Sequence, residues 1–467
     1  LRHELKPYED YKDSRIDWMG NIPTHWNIYK NSVLFQEVVD TNHTELELLS
    51  ILLSRGIVKQ SSTGRKKRMS QDNSNYKRIQ KGDIGYNLMN AFMGSIGASK
   101  YVGIISPAYA VCRPKVGINS WYFHYLFRIP LYKKEFDKNS YGIMYERNRL
   151  YFDRFKRISS FVPPKDEQDQ IVRYLDCFLT KINKFIRTKM KLIEVLKEQK
   201  QAVINESITK GLDPSTKMKS SGIDWLGEIP EKWELIKLKF LSREAFQYGA
   251  NESGVQFSDD LPRYIRITDI TSEGNLKDSD KLSLSRNLGE KFILHDSDIL
   301  FARSGATVGK TFLYKEEYGE SCFAGYLIKF SPDTNRVMPE YIYNFTLSSA
   351  YSLWLNKIFI QSTIQNVSAE KYKNLQIPLP SLDDQYKILK EIEADKKVFD
   401  KVITEILKEI SLITEYRTRL ISDVVTGKVD VRGIVVDDVL EDIEDTLEEE
   451  PLDDEFLSDE DGDENAN

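Results

Sequence analysis

The chain has 467 residues, 40% of them apolar and 11% aromatic, about three domains' worth at typical sizes, which excludes wholesale disorder. The net charge of −6 divides unevenly: 17 of the 72 acidic residues lie between Asp437 and Glu464 and all 66 basic residues precede them, so residues 1–436 carry a net +11. A basic body with a detachable acidic tail suits a polyanionic partner better than the overall charge suggests.

Cys112, Cys177 and Cys322 form no CxxC pair and read as core thiols of a reducing compartment. His3, His25, His43, His124 and His295 show no HxxxH or HExxH spacing, which argues against a metal site. Apolar runs are interrupted by charge and the N-terminus has no leader pattern, so the expectation is a soluble, cytoplasmic protein whose leading Leu1 points to a trimmed start.

The first element, within residues 1–26, is Ser14 to Trp26, SRIDWMGNIPTHW. Its pattern returns at Ser221 to Trp233, SGIDWLGEIPEKW, within residues 211–233. Eight of thirteen positions are identical at an offset of 207, so the chain is built twice. Trp18, Trp26, Trp225 and Trp233, spaced around Gly20 and Pro23 or Gly227 and Pro230, predict a turn whose aromatic faces pack on a neighbouring element.

A second repeated element closes each half. FVPPKDEQDQI, Phe161 to Ile171, and IPLPSLDDQYKI, Ile377 to Ile388, each lead from proline through acidic residues into an apolar-periodic run. That is a helix start, because carboxylates complement the exposed N–H groups and the positive end of the dipole. Long helices are therefore expected over residues 166–210 and 381–428. Steps of four and three mark Ile171, Leu175, Phe178, Ile182, Phe185, Lys189, Leu192, Leu196, Gln199 and Val203, eight of ten apolar; moving each by 217 gives Ile388, Ile392, Asp395, Phe399, Val402, Ile406, Glu409, Ile413, Tyr416 and Leu420, again eight. A heptad seam in the same register in both copies predicts two coiled-coil helices facing each other, with Lys189, Asp395 and Glu409 available to fix register.

Between these frames, residues 27–165 and 234–380 are rich in Tyr, Phe and Ile with short apolar stretches broken by Gly, Asn and Asp, which predicts mixed α/β globular domains. Lys81 to Gly97 and Asp296 to Gly309 share one pattern, a strand that leaves an acidic turn and ends in a Gly-rich loop. The flanks repeat while the middles diverge, as expected of a frame holding two modules that read different things.

Gly305-Ala-Thr-Val-Gly309-Lys310-Thr311 imitates a phosphate-cradling loop but has three residues between its glycines where four are needed. With Arg303, Ser304 and Lys310 it can instead approach a DNA backbone, or form a plain structural turn. A second basic concentration, Arg65, Lys66, Lys67 and Arg68, sits in a Ser, Thr and Asn-rich stretch and reads as solvated surface or as a phosphate-binding arm that orders on contact. Tyr86, Asn87, Asn90, Gln247, Asn251, Gln365 and Asn366 offer groups able to hydrogen-bond base edges, the amides toward adenine above all, and each alone also has a structural reading. No methyltransferase tetrapeptide, FxGxG turn, complete Walker loop or nuclease carboxylate cluster accompanies them. The chain is expected to bind and aim rather than to react.

Ile16-Asp17-Trp18 with Gly20, Ile22-Pro23 and Trp26, the same frame at Ile223 to Trp233, Pro163-Pro164 leading to Glu167-Gln168, and Arg419-Leu420-Ile421 through Thr426-Gly427-Lys428-Val429-Asp430 together resemble the specificity subunit of Type I restriction-modification enzymes. Gly82-Asp83-Ile84 to Gly97, Ser106 to Tyr109, Tyr141-Gly142-Ile143, Tyr264 to Ile270 and Asp298 to Gly309 are similar to its target recognition domains. The resemblance implies an α+β chain with two such domains, mixed α/β and globular, at residues 27–165 and 234–380. Two long antiparallel coiled-coil helices, central at 166–210 and distal at 381–428, would separate them about a pseudo-twofold repeat. Each domain would bind one half of a bipartite asymmetric site on double-stranded DNA.

The family further implies two methylation subunits, which carry S-adenosylmethionine and adenine N6 methylation, and restriction subunits, whose motor and nuclease use ATP and Mg2+ in phage defence. This chain would be noncatalytic, with no cofactor of its own. The resemblance gives no role to the chain after Arg432, and residues 429–467 read by composition as an acidic, disordered C-terminal tail. The competing readings are a specificity or fused protein of a Type II-like restriction-methylation enzyme, and an adaptor whose coiled coil only joins proteins.

Overall fold

The computed structural model of the chain describes residues 5–53, 55–63, 73–142, 148–271, 274–305, 307–360 and 366–436. Arg65, Lys66, Lys67, Arg68, Gln365 and the acidic residues from Asp437 onward lie outside the described residues. The chain divides into two units, Leu1–Lys191 with Ile406–Asn467 and Leu192–Glu405. Both mix helices and strands in an α+β arrangement.

The duplicated tryptophan segment opens each unit. Tyr11–Asp13 pairs with Asn21–Pro23 and Asn27–Lys30 with Ser159–Val162 in the first; Met218–Ser220 pairs with Glu228–Pro230 and Glu234–Lys237 with Gln376–Leu379 in the second. Trp26 and Trp233 are buried, while Trp18 and Trp225 lie partly buried against the same cores. The aromatic faces pack, as the spacing around the glycines and prolines predicts.

Each strand and the proline in or after it lead into a long helix, Lys165–Lys210 and Leu382–Val425, with Asp166 and Glu167 or Asp383 and Asp384 in the first turn. A glutamine just inside each helix forms a repeated brace. Gln168 Oε1 accepts the Asn119 N–H at 2.9 Å and its Nε2 donates to Pro163 O at 2.9 Å; Gln385 accepts the Met338 N–H at 2.8 Å and donates to Pro380 O at 3.0 Å. Asn119 and Met338 are the N-cap residues of the short helices Ser120–Leu126 and Pro339–Thr346, so each brace satisfies a backbone donor that a helix start leaves over.

Those short helices receive the long helices' ends. Tyr122 Oη donates to Val425 O at 2.9 Å in the first unit, and Tyr341 Oη donates to Ile208 O at 3.1 Å in the second. The last turn of the second long helix closes the first unit, and the last turn of the first long helix closes the second.

In the first unit, Lys189 Nζ lies 2.7 Å from Glu409 Oε2 and Gln170 Nε2 donates to Val431 O at 3.1 Å, so the segments of the two long helices present there run in opposite directions. In the second unit, Lys200 Nζ lies 2.6 Å from Asp400 Oδ1, and Ile204 and Ile208 share an apolar cluster with Ile388 and Ile392.

The buried stripe departs from the expected heptad on alternate positions. Phe185, Leu192, Gln199, Val402, Glu409 and Tyr416 are exposed, and the residue one step further faces inward instead: Ile186 and Ile193 are buried, Lys200, Ile403, Ile410 and Arg417 half-buried. A straight helix turns every 3.6 residues, so a stripe drawn at 3.5 drifts by about 20° per heptad until the next residue takes its place. Both copies show the same shift.

Each unit carries the same four-stranded antiparallel sheet. Its order is Phe35–Glu37, Tyr109–Pro114, Ile84–Asn87, Ile96–Ala98 in the first and Gln247–Tyr248, Leu327–Phe330, Ile299–Ala302, Thr311–Leu313 in the second. The acidic turn before the central strand is closed identically. Asp83 Oδ2 accepts the Gln80 N–H at 3.0 Å, and Asp298 Oδ2 accepts the His295 N–H at 2.9 Å.

Just beyond that strand, Leu88 O accepts the Leu150 N–H and Arg303 O accepts the Val367 N–H, both at 2.8 Å. Away from this sheet the units differ. The second has another four-stranded sheet, with Arg263–Ile265 parallel to Ser321–Phe323, whereas the first has the hairpin Leu49–Leu52 with Gly56–Lys59 and the pair Lys77–Ile79 with Gly103–Ile105.

Candidate nucleic-acid interface

Among the described residues, most of those expected to meet DNA lie near the ends of strands Ile84–Asn87 and Ile299–Ala302. In the first unit, Tyr86 is the exception. Its ring is fully buried, 5.1 Å from that of Phe155, and its hydroxyl has no hydrogen-bond partner. Burial pushes the phenol well above its usual range, so it is a neutral core ring and not a reader of base edges. Phe301, its counterpart in the second unit, packs the same way, 4.5 Å from the ring of Tyr372.

Asn87 and Asn90 are half-buried in the loop that follows. Asn87 Oδ1 accepts the Met89 N–H at 2.9 Å, while the Asn90 side chain caps nothing. Close by in the fold, Leu150 bonds Leu88, and its neighbour Arg149 is bridged to Tyr141. Tyr141 and Tyr151 are both exposed with ring centroids 5.3 Å apart, and the Arg154 guanidinium lies 5.1 Å over the Tyr141 ring. Sequence reasoning placed Tyr141 in a recognition segment but missed Tyr151 and Arg154, three residues apart on one turn.

In the second unit, most of the expected residues converge. Arg303 and Ser304 follow the central strand, and Ser304 is bridged to Asn366. Arg303 is held by its N–H to Tyr326 O at 3.0 Å as well as by the bond from Val367, and its guanidinium lies 4.8 Å over the Tyr248 ring. Tyr248 Oη in turn accepts the Ala369 N–H at 3.0 Å.

Asn251 sits over Gly325, where a Cβ would come 1.9 Å from Asn251 Oδ1, so the close approach needs glycine. Next to it, Tyr326 is 65% exposed. Gln247 is on the edge strand, but its Nε2 donates to Lys291 O at 2.8 Å and is committed to the fold. Tyr248 and Tyr326 are the residues that sequence reasoning missed, although Tyr248 adjoins Gln247.

The false phosphate loop is a turn. The N–H groups of Val308, Gly309 and Lys310 bond Gly305 O, Ala302 O and Thr307 O at 3.1, 2.8 and 3.0 Å, and strand Thr311–Leu313 follows where a phosphate-binding loop leads into a helix. Those amides are committed, which removes them as phosphate donors; Lys310 stays half-buried beside Ala302.

The three cysteines are free and buried. Among the described residues no cluster of His, Cys, Asp or Glu is arranged to hold a metal ion, and no helix is long and apolar enough to cross a membrane.

Residues 245–412 match the family model described as the Type I restriction modification DNA specificity domain. The chain is 24% identical over 290 residues to the Type I restriction enzyme MjaVIII specificity subunit of Methanocaldococcus jannaschii, a match that covers 60% of this chain and 64% of that protein. It is 24% identical over 320 residues to the Type I restriction enzyme EcoKI specificity subunit of Escherichia coli strain K12, covering 65% of each. The chain spans just under two thirds of the length of these relatives. Its fold is similar, at a TM-score of 0.65 and 14% identity over 86% of this chain and 98% of the other, to a chain of the structure described as "Structural basis underlying complex assembly and conformational transition of the type I R-M system". The repeated sequence frame, the matched domain and these relatives converge on one family: the chain resembles the specificity subunits of Type I restriction-modification enzymes.

Proposed function

We propose that this chain is the DNA sequence-specificity subunit of a Type I restriction-modification complex. Two target recognition domains, one in each unit, bind the two halves of a bipartite asymmetric site on double-stranded DNA. The long helices form an antiparallel coiled coil that spaces the domains and scaffolds two methylation subunits, which bring S-adenosylmethionine, together with restriction subunits, which use ATP and Mg2+. The chain itself performs no chemistry and works in the cytoplasm.

The observation that carries this reading is the duplicated sheet. One ladder with the same closing hydrogen bonds presents Asn87 and Leu88 in the first unit, Ala302 and Arg303 in the second. Identical heads select half-sites related by symmetry, so a common frame with unlike tips suits an asymmetric target. The net +11 of residues 1–436 adds sequence-independent attraction to the phosphates.

The test is single-molecule methylome sequencing of a host expressing the chain with its cognate methylation subunit. A modified-adenine motif of two unlike halves is expected. No motif, or one continuous palindrome, overturns the proposal.

A further inference from the structure

Six arginines lie in the second unit. Arg243, Arg266 and Arg286 pair with carboxylates, and Arg263 and Arg336 donate to backbone carbonyls. Arg303 alone has no oxygen partner among the described residues, although its backbone is held at both the N–H and the carbonyl. A cation held in place but left without an anion has its hydrogen-bonding capacity in reserve.

The geometry limits what can use that capacity. The Tyr248 ring, 4.8 Å from the guanidinium carbon and itself anchored through Ala369, holds the fork in place. Nε is shielded from solvent and unpaired, so the donors left for a ligand are those of the two terminal nitrogens. Two residues on, a Cβ on Gly305 would meet nothing within 4 Å, so the loop that leaves the strand is open at that point. Two terminal nitrogens on a fork held in place match the O6 and N7 acceptors of guanine in the major groove. A phosphate can accept from the same two donors but carries no sequence information, so loss of discrimination at one base pair is what separates base readout from backbone contact.

We propose that Arg303, clamped by Tyr248, reads a guanine in the half-site bound by the second unit. This rests on the DNA-reading function proposed above, and it moves Arg303 from backbone contact to base readout. Losing one bidentate contact lowers discrimination at a single base pair by about 10-fold or more and leaves other positions alone.

The experiment compares the methylated motif of the wild-type complex with those of Arg303→Lys and Tyr248→Leu, both in the full chain with its methylation subunit. Arg303→Lys keeps the charge and removes the fork; Tyr248→Leu keeps the arginine and removes its clamp. The expected result is a wild-type motif with guanine in one half, and in both variants relaxation at that one position with the other half unchanged. A wild-type motif without guanine in either half, or variants that retain the full motif, overturn the assignment of Arg303 and leave the specificity-subunit reading standing. A wild-type complex that yields no motif overturns both.

Discussion

The glutamine braces give the sharpest test of the repeated frame. Gln168 and Gln385 are almost fully buried; Gln168 joins one backbone donor to one backbone acceptor, and Gln385 joins one donor to Pro380 O and, at 3.4 Å, to Arg336 O. Replacing Gln168 by Leu preserves much of the volume but strands the Asn119 N–H and Pro163 O, both of which lose a partner that water does not readily replace. An unsatisfied buried group costs about 1–3 kcal/mol, so the pair is expected to cost about 3 kcal/mol. Because the chain has two units, a single global unfolding free energy is a poor readout.

Hydrogen exchange at the affected amide is better, and about 3 kcal/mol of lost protection corresponds to exchange roughly 100-fold faster. Gln168→Leu should show this at Asn119, and Gln385→Leu should show it at Met338. Gln168→Glu keeps the acceptor but turns a second oxygen toward Pro163 O, so it should protect Asn119 less well than the wild type. If either leucine variant leaves its amide within twofold of wild-type exchange, the brace does not hold the helix start and the argument from the repeat fails.

Two further substitutions address the helix stripe and the first unit's core. Ile186→Ala, at a buried position, should lower hydrogen-exchange protection of its helix segment by about 2–4 kcal/mol, while Phe185→Ala beside it, 43% exposed, should lower it by under about 1 kcal/mol; the reverse order restores the heptad seam drawn from sequence. His124 should impose a pH dependence. Burial, with the Arg128 and Lys100 cations nearby, holds its imidazole well below the usual range, and its Nδ1 accepts the Ala98 N–H at 3.3 Å. The folded state keeps this ring neutral while the unfolded chain takes up a proton, so the stabilisation is complete above a pH of about 6.5 and is lost below it, by up to about 1.4 kcal/mol per pH unit. The pH dependence of hydrogen-exchange protection in the first unit's core, measured from about pH 7.5 down to about 5 and corrected for intrinsic exchange, should flatten in His124→Gln, and an unchanged slope would show that another group titrates.

Much of this frame was legible because it is local and repeated. The tryptophan segments announce their turns, and proline followed by acid announces the long helices. The central strands also follow from their pattern, because Asp83 and Asp298 each close the turn ahead of an apolar run. What escaped was set by distance or by small angles. The alternation of a strand does not say which face is core, and only the packing of Phe155 against Tyr86 distinguishes a core ring from a base reader. The stripe from Phe185 to Gln199 failed through a drift of a tenth of a residue per turn. Tyr248 and Arg303 are 55 positions apart, and only the pairing of Gln247–Tyr248 with Leu327–Phe330, and of that strand with Ile299–Ala302, makes them neighbours.

The same pairing explains how one frame can carry two specificities. The bonds that fix the tip in each unit, Leu150 to Leu88 and Val367 to Arg303, run between backbone atoms, so they hold whichever side chain is present. In the first unit, extending the register beyond Cys112 with Glu37 and Ala110 with Tyr86 brings Val39 to the place that Tyr248 occupies in the second. Val39 is 68% exposed and Leu88 packs partly into the core. The frame therefore offers an apolar pair in one unit and an aromatic-clamped cation in the other. Because Leu88 is also a packing residue, an arginine placed there alone would lose apolar contact and find no ring to orient it. On the proposed reading, a change of target at this place takes both positions together, and the braces, helix ends and acidic turns stay as they are.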